Sequence, residues 1–217
     1  MNRTDQLILL PEIARIDFSD KDLLHLMKLI YNPFTGLFYR KRYAMIMQFL
    51  KGTYGSILEV GFGPGIFVPT LSKKCASIYG VDIHRDIPKV TAVLKAHTNN
   101  FTPLTADLSQ IPVKAGSFDV VICMSVLEHI KDLRPAFEEM HRIMHKDGML
   151  LLGFPIKNKI TKMLFSIIGY NDSLIHPSSH EEILRAAQER FTLREENTFP
   201  SWMGKYGLYY AGSFTKK

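Results

Sequence analysis

Cysteine is nearly absent from this 217-residue chain: Cys75 and Cys123 are the only two, far apart and without CxxC spacing. That rules against a disulfide framework and predicts a reducing, cytoplasmic setting. Long apolar runs are missing too. No stretch approaches the roughly 20 residues that a membrane-spanning helix needs. The apolar run at 7–10 is cut by Pro11 and Glu12, too early for a secretion signal. The expectation is a cytoplasmic protein, at most peripheral to a membrane. Repeats and low-complexity tracts are absent, which excludes solenoid, fibrous and disordered chains. Metal-ligand clusters are lacking as well. His141 and His145 stand four apart on a helical segment, but no Cys or carboxylate completes a set, so no metal is expected.

What is present is an ordinary globular composition, 46% hydrophobic and 22% charged, with a formal net charge of +6. The surplus of lysine and arginine favours anionic partners only mildly. Residues 1–50 carry helical periodicity, with Leu23, Leu24, Met27, Ile30 and Tyr31 on one face and a second helical stretch at 38–50. Asn32-Pro33 and Thr35-Gly36 separate the two. From about residue 56 the rhythm changes. Short apolar runs at 57–60, 77–81, 101–105, 118–124 and 149–154 alternate with helical segments at 67–74, 87–97 and 133–144. Such alternation predicts βαβ units and a mostly parallel sheet buried on both faces. Ligands then bind at the carboxyl ends of the strands. Further on, Ser179 is placed to cap a helix at 180–190, with Glu181 and Glu182 in its first turn. Two last strands at 192–199 and 206–214, joined by a short connection, predict an antiparallel pair at one sheet edge.

The strongest local signal is Glu59-Val60-Gly61-Phe62-Gly63-Pro64-Gly65, between a strand and a helix. Alternate glycines permit positive φ and let a ligand lie on the backbone, beside the free N–H groups of the helix start. Asp82 follows 21 residues after Gly61, at the end of the next strand, where a carboxylate can accept both hydroxyls of a ribose. Together they read as a nucleoside site. A dinucleotide fingerprint needs a small residue where Ile66 stands, which argues against a nicotinamide cofactor.

Five ordered blocks then resemble the class I S-adenosylmethionine-dependent methyltransferases, the type 11-like group with small-molecule or lipid acceptors. They are the glycine loop, Tyr79-Gly80-Val81-Asp82-Ile83, Thr105-Ala106-Asp107-Leu108, Gly116-Ser117-Phe118-Asp119-Val120-Val121 and Ser125-Val126-Leu127-Glu128-His129-Ile130. His141-Arg142-Ile143-Met144 and Asp147-Gly148-Met149-Leu150-Leu151 continue the pattern, so the likeness covers about 55–155. It implies a Rossmann-like α/β fold: a seven-stranded, mostly parallel sheet with flanking helices and a C-terminal antiparallel pair. Residues 1–50 would be a helical cap. Residues 51–217 would be the cofactor-binding domain, with a substrate-cap insertion at about 155–180.

The resemblance further implies S-adenosyl-L-methionine as cofactor and S-adenosyl-L-homocysteine as product. Gly61, Phe62, Gly63 and Gly65 would lie under the methionine and ribose. Asp82 would hold the ribose hydroxyls, Ile83 would flank the adenine, and Asp107 with the Leu108 backbone would read its edge. Met124 and Ser125 would line the sulfonium end, with Glu59 as a buried carboxylate bonded to loop amides. The reaction would be in-line displacement at the methyl carbon, so positioning dominates and a base helps only a protonated acceptor. His129 is the candidate base. Tyr39, Arg40, His176 and His180 are candidate substrate residues. An apolar patch at 163–168 beside Lys157, Lys159 and Lys162 suits an amphiphilic substrate or peripheral membrane contact. Nucleic acid is disfavoured, since no Asn/Asp-Pro-Pro-Tyr/Phe block follows the fourth strand. The alternatives are a nicotinamide oxidoreductase and a non-catalytic adenosine-binding module.

Overall fold

The computed structural model of the chain describes residues 7–158, 161 and 177–217. Seven strands form one sheet: β1 (Tyr54–Val60), β2 (Cys75–Asp82), β3 (Phe101–Thr105), β4 (Phe118–Met124), β5 (Met144–Pro155), β6 (Phe191–Phe199) and β7 (Tyr209–Lys216). Their spatial order is β3-β2-β1-β4-β5-β7-β6. The first five pair in parallel, and β7 runs antiparallel to both β5 and β6. The chain enters at β1 and builds outward to β2 and β3, then returns to place β4 on β1's other flank. This reversal opens a crevice at the carboxyl ends of β1 and β4, the place where such sheets take ligands.

The central strands are apolar throughout because both faces are covered. Successive side chains alternate between two cores. Ile57, Val120, Ile122 and Met124 face one core, and Leu58, Val60, Val121 and Cys123 face the other. The helices are α1 (Lys21–Tyr31), α2 (Thr35–Met47), α3 (Val68–Leu71), α4 (Ile87–His97), α5 (Leu133–Ile143) and α6 (His180–Arg190). Those on the first face include α1, α2 and α4, whose Ile30, Ile46 and Leu94 are fully buried. On the second face α5 and α6 bury Phe137, Met140 and Ala187.

Several boundaries differ from the sequence expectation, each for a local reason. The first fifty residues are helical in α1 and α2, with one short 3-10 turn at Ile13–Arg15 before them. Helix α2 begins earlier than 38, because the Asn32 side chain accepts from the Phe34 and Thr35 amides and starts the turn there. The helix expected at 67–74 is the single turn α3, which Pro69 starts and the Cys75 strand soon follows. Helix α5 stops at Ile143, where β5 takes over. The last two strands are not closely joined: a 3-10 turn at Ser201–Tyr206 lies between them. The expected cap at Ser179 is present, as a reciprocal box with Glu182. The apolar patch at 163–168 and its Lys159 and Lys162 lie outside the described residues. Among those described, no helix is long and apolar enough to cross a membrane.

Candidate active site

The glycine loop is built by three left-handed residues, Gly61, Gly63 and Gly65, at φ 69°, 50° and 75°. A side chain at Gly61 would put its Cβ 2.1 Å from Val126 Cγ2, and one at Gly65 would meet Leu94 Cδ1 at 2.7 Å. Gly61 thus brings the loop against the segment after β4, and Gly65 lets α4 close on it. Phe62 turns into the core, its ring 5.7 Å from that of Phe101, so its part in the loop is backbone and anchor.

Asp82 ends β2 beside this loop. Its Oδ2 accepts from Gly63 N at 2.8 Å, and its Oδ1 accepts from Ile83 N at 2.7 Å. From the other side His84 Nε2 donates to the Gly63 carbonyl at 2.9 Å. Gly63 is therefore pinned by two residues of the neighbouring strand end. His84 was not among the sequence candidates, because only the folded loop brings it to Gly63. Ile83 is 71% exposed, an apolar surface at a strand end. Asp107 is exposed, and Ser109 bonds its Oδ1 through both amide (2.8 Å) and hydroxyl (2.6 Å). Those two bonds hold its carboxyl below the usual range. Leu108 is buried beneath that turn.

On the opposite lip α2 delivers Arg42. Its guanidinium lies 4.9 Å from the Tyr39 ring and 4.5 Å from the Tyr209 ring, and it donates to Ser125 Oγ. Among the described residues no carboxylate forms an ion pair with it, and its shielded Nε has no hydrogen-bond partner. Ser125, the first residue past β4, holds a positive φ of 55°, strained for a residue with a side chain. Its Oγ also meets Tyr209 Oη at 3.1 Å, and its amide donates to the Gly153 carbonyl at 2.7 Å. Met124 is buried at the strand end just before it.

Glu59 departs from expectation. It is 5% exposed, but its Oε2 accepts no hydrogen bond, where bonds to loop amides were expected. Burial, and then the charge of Asp82, lift its carboxyl well above the ordinary range. The loop amides are taken elsewhere: Gly61 N donates to Val81 O and Gly63 N to Asp82.

The catalytic and substrate candidates separate. His129 is exposed in the 3-10 turn Leu127–His129, whereas its neighbour Glu128 is 3% exposed with an unpartnered Oε2. Tyr39 lies half-buried against Arg42, but Arg40 is exposed and bonds its own helix at Gly36 O (3.2 Å). His180 accepts from Lys157 N at 3.3 Å and sits 3.2 Å from Glu181, with burial drawing its pKa down. His176 lies outside the described residues. Sequence reasoning missed Arg42 and Glu128, although both stand beside named candidates. Among the described residues no group of His, Cys, Asp and Glu is arranged to hold a metal.

Comparison with known proteins agrees with this geometry. A family model described as "Methyltransferase domain" matches residues 58–152. The chain is 28% identical over 174 residues to the ubiquinone biosynthesis O-methyltransferase of Vibrio parahaemolyticus, covering 76% of this chain and 72% of that protein. The enzyme of the same name from Psychrobacter cryohalolentis is 31% identical over 119 residues, a match that spans 52% of this chain but only 45% of the relative. The N-methyltransferase NodS of Bradyrhizobium japonicum, solved with S-adenosyl-L-homocysteine, shares the fold at a TM-score of 0.66 and 16% identity, covering 95% of each chain. The family match, the sequence relatives and the shared fold together support a class I S-adenosylmethionine-dependent methyltransferase. Within that class it is similar in sequence to the ubiquinone biosynthesis O-methyltransferases. The nicotinamide and non-catalytic alternatives are not favoured.

Proposed function

We propose that this enzyme transfers a methyl group from S-adenosylmethionine to a hydroxyl of a small, aromatic or lipid-like acceptor. One observation carries the cofactor's placement: two shielded groups of opposite character, Arg42 and Glu59, lie without ion-pair partners around a cradle that admits no side chain. A zwitterionic amino-acid end of a ligand supplies what both lack, a carboxylate for Arg42 and an ammonium for Glu59. Gly61 and Gly63 then lie beneath that end and the ribose, and Asp82 offers its carboxylate to the ribose hydroxyls. Ile83 covers one adenine face, while Asp107 and the Leu108 amide read the adenine edge. Met124 and Ser125 line the transfer end.

The cofactor supplies a methyl carbon already activated on a sulfonium. The chain's own residues have to hold the acceptor in line with it and exclude water. Residues 7–50, with Tyr39, and the described residues flanking the 155–180 segment, with His180, form the acceptor's cover. The likeness to ubiquinone biosynthesis O-methyltransferases supports an oxygen acceptor on an amphiphilic ring. Exposed Phe34 and Leu37 on the α1–α2 corner and α2, and Trp202 and Tyr206 between β6 and β7, agree with an apolar approach. Phe38 against Phe199, at 6.1 Å between rings, ties these two regions together.

Isothermal titration of the full chain with S-adenosylhomocysteine tests the cofactor site. Micromolar binding is expected, and Asp82→Ala should weaken it at least tenfold, about 1.4 kcal/mol. An affinity close to wild type in that variant would remove the ribose assignment.

A further inference from the structure

We propose that Glu128, not His129, is the general base that removes the proton from a hydroxyl acceptor. The inference rests on the methyl-transfer reading above and adds the residue and acceptor chemistry to it. The polypeptide after β4 is fixed in place. Ser178 donates through its hydroxyl to Ile130 O at 2.5 Å and through its amide to Glu128 O at 3.3 Å. The 3-10 turn between them therefore holds the Glu128 side chain inward, three residues past Ser125. Its Oε2 is buried and accepts no hydrogen bond within the chain, which leaves an acceptor atom open to a substrate hydroxyl.

The groups facing Glu128 come from every side. Arg42 of α2 and Lys157 just past β5 favour its charged form, while Cys123 of β4 and Tyr209 of β7, raised chiefly by burial, are pushed further up by its charge. Burial outweighs the two cations and lifts Glu128 to about 7. Near neutral pH the side chain thus exchanges a proton readily, as a general base must. His129 is on the exposed side of the same turn.

The step balances. The acceptor's O–H proton passes to Glu128 Oε2 while the oxygen lone pair forms a bond to the methyl carbon. The carbon–sulfur bond breaks with its electron pair on sulfur. A methyl ether and S-adenosylhomocysteine result, and Glu128 returns its proton to water.

The test uses the full chain, labelled S-adenosylmethionine and two probes, 3,4-dihydroxybenzoate and the far more acidic 4-nitrocatechol. Glu128→Gln should lower kcat at least a hundredfold on the first and less than tenfold on the second, with S-adenosylhomocysteine affinity kept within twofold. The wild-type rate should rise through about pH 7, and the variant's rate should not. Equal losses on both probes, or none, would overturn the proposal, as would a cofactor-binding chain that methylates neither catechol. Carboxyl-region infrared titration needs no acceptor: a group titrating near pH 7 should vanish in Glu128→Gln, and its absence from the wild type would also overturn the assignment. Loss of S-adenosylhomocysteine binding by the wild-type chain would instead sink the underlying methyl-transfer reading.

Discussion

Glu59 is a carboxyl whose protonation has a thermodynamic consequence. Its pKa is raised in the chain by burial and by Asp82, so it carries a proton well above the range of an ordinary glutamate. If it receives the ammonium of a bound cofactor, it must ionise, and binding releases that proton. The sign follows: binding is weaker at low pH, where the proton has to be driven off, and strengthens as pH rises through the raised pKa. Titration with S-adenosylhomocysteine in two buffers of different ionisation heat should show this release, and Glu59→Gln should abolish it. A buffer-independent heat in the wild type would remove Glu59 from the ammonium. At this scale, legibility followed locality. Gly61 and Asp82 were readable because both are set by one β-α-β unit, where sequence spacing fixes geometry. Arg42 and Glu128 were not, because an unpaired side chain is recognised only once every element packed around it is known. Arg42 was hidden in a basic run, Arg40-Lys41-Arg42, of which only the third member turns inward.

Among the elements, α1 depends on a distant carboxylate. Burial pushes Asp86 up, but the Lys89 ammonium and the amides of Asp20 and Ser19, with the Ser19 hydroxyl, outweigh it and hold the carboxyl at about 2. The contacts are short: Ser19 N at 2.7 Å, Asp20 N at 3.1 Å and Lys89 Nζ at 3.0 Å. Asp86, just before α4, thereby fastens the residues leading into α1. A depressed carboxyl contributes stability that is full above its unfolded pKa near 4 and is lost as pH falls toward 2. Asp86→Asn should cost on the order of 1–2 kcal/mol in urea denaturation at pH 7, the share of half-exposed Lys89 being reduced by solvent screening. The gap should shrink between pH 4 and pH 2, and a constant gap would mean that charge is not its source. The helices at 87–97 and 180–190 were legible from periodicity and caps. The position of β7 between β5 and β6 was not, since the pairing joins residues about sixty apart and no local pattern records it.

For the molecule as a whole, the sheet's two faces differ in how they are covered. The second face is closed by α5 and α6, which follow the strands in the usual crossover manner. The first is closed largely by residues that precede the sheet altogether: Ile13, Ile30, Ile46 and Leu50 are buried to 2% or less, in the same cluster as Phe67, Leu71 and Val90. A helical cap over a self-sufficient domain would leave that domain stable when removed. Burial argues otherwise. Each such side chain contributes about 1.5–3 kcal/mol, so these four alone approach the roughly 5–15 kcal/mol by which a domain of ordinary size is stable. Deletion of residues 1–50 should therefore abolish the cooperative thermal transition, not merely acceptor binding, and raise binding of an apolar dye. If the shortened chain instead melts cooperatively and still binds S-adenosylhomocysteine, the N-terminal helices are a true cap, and Arg42 contributes little to the cofactor. Loss of binding with the transition preserved would assign them the cofactor contact alone. Collapse of both is the outcome that continuity of the core demands, because the helices that carry Arg42 to the crevice also seal the sheet beneath it.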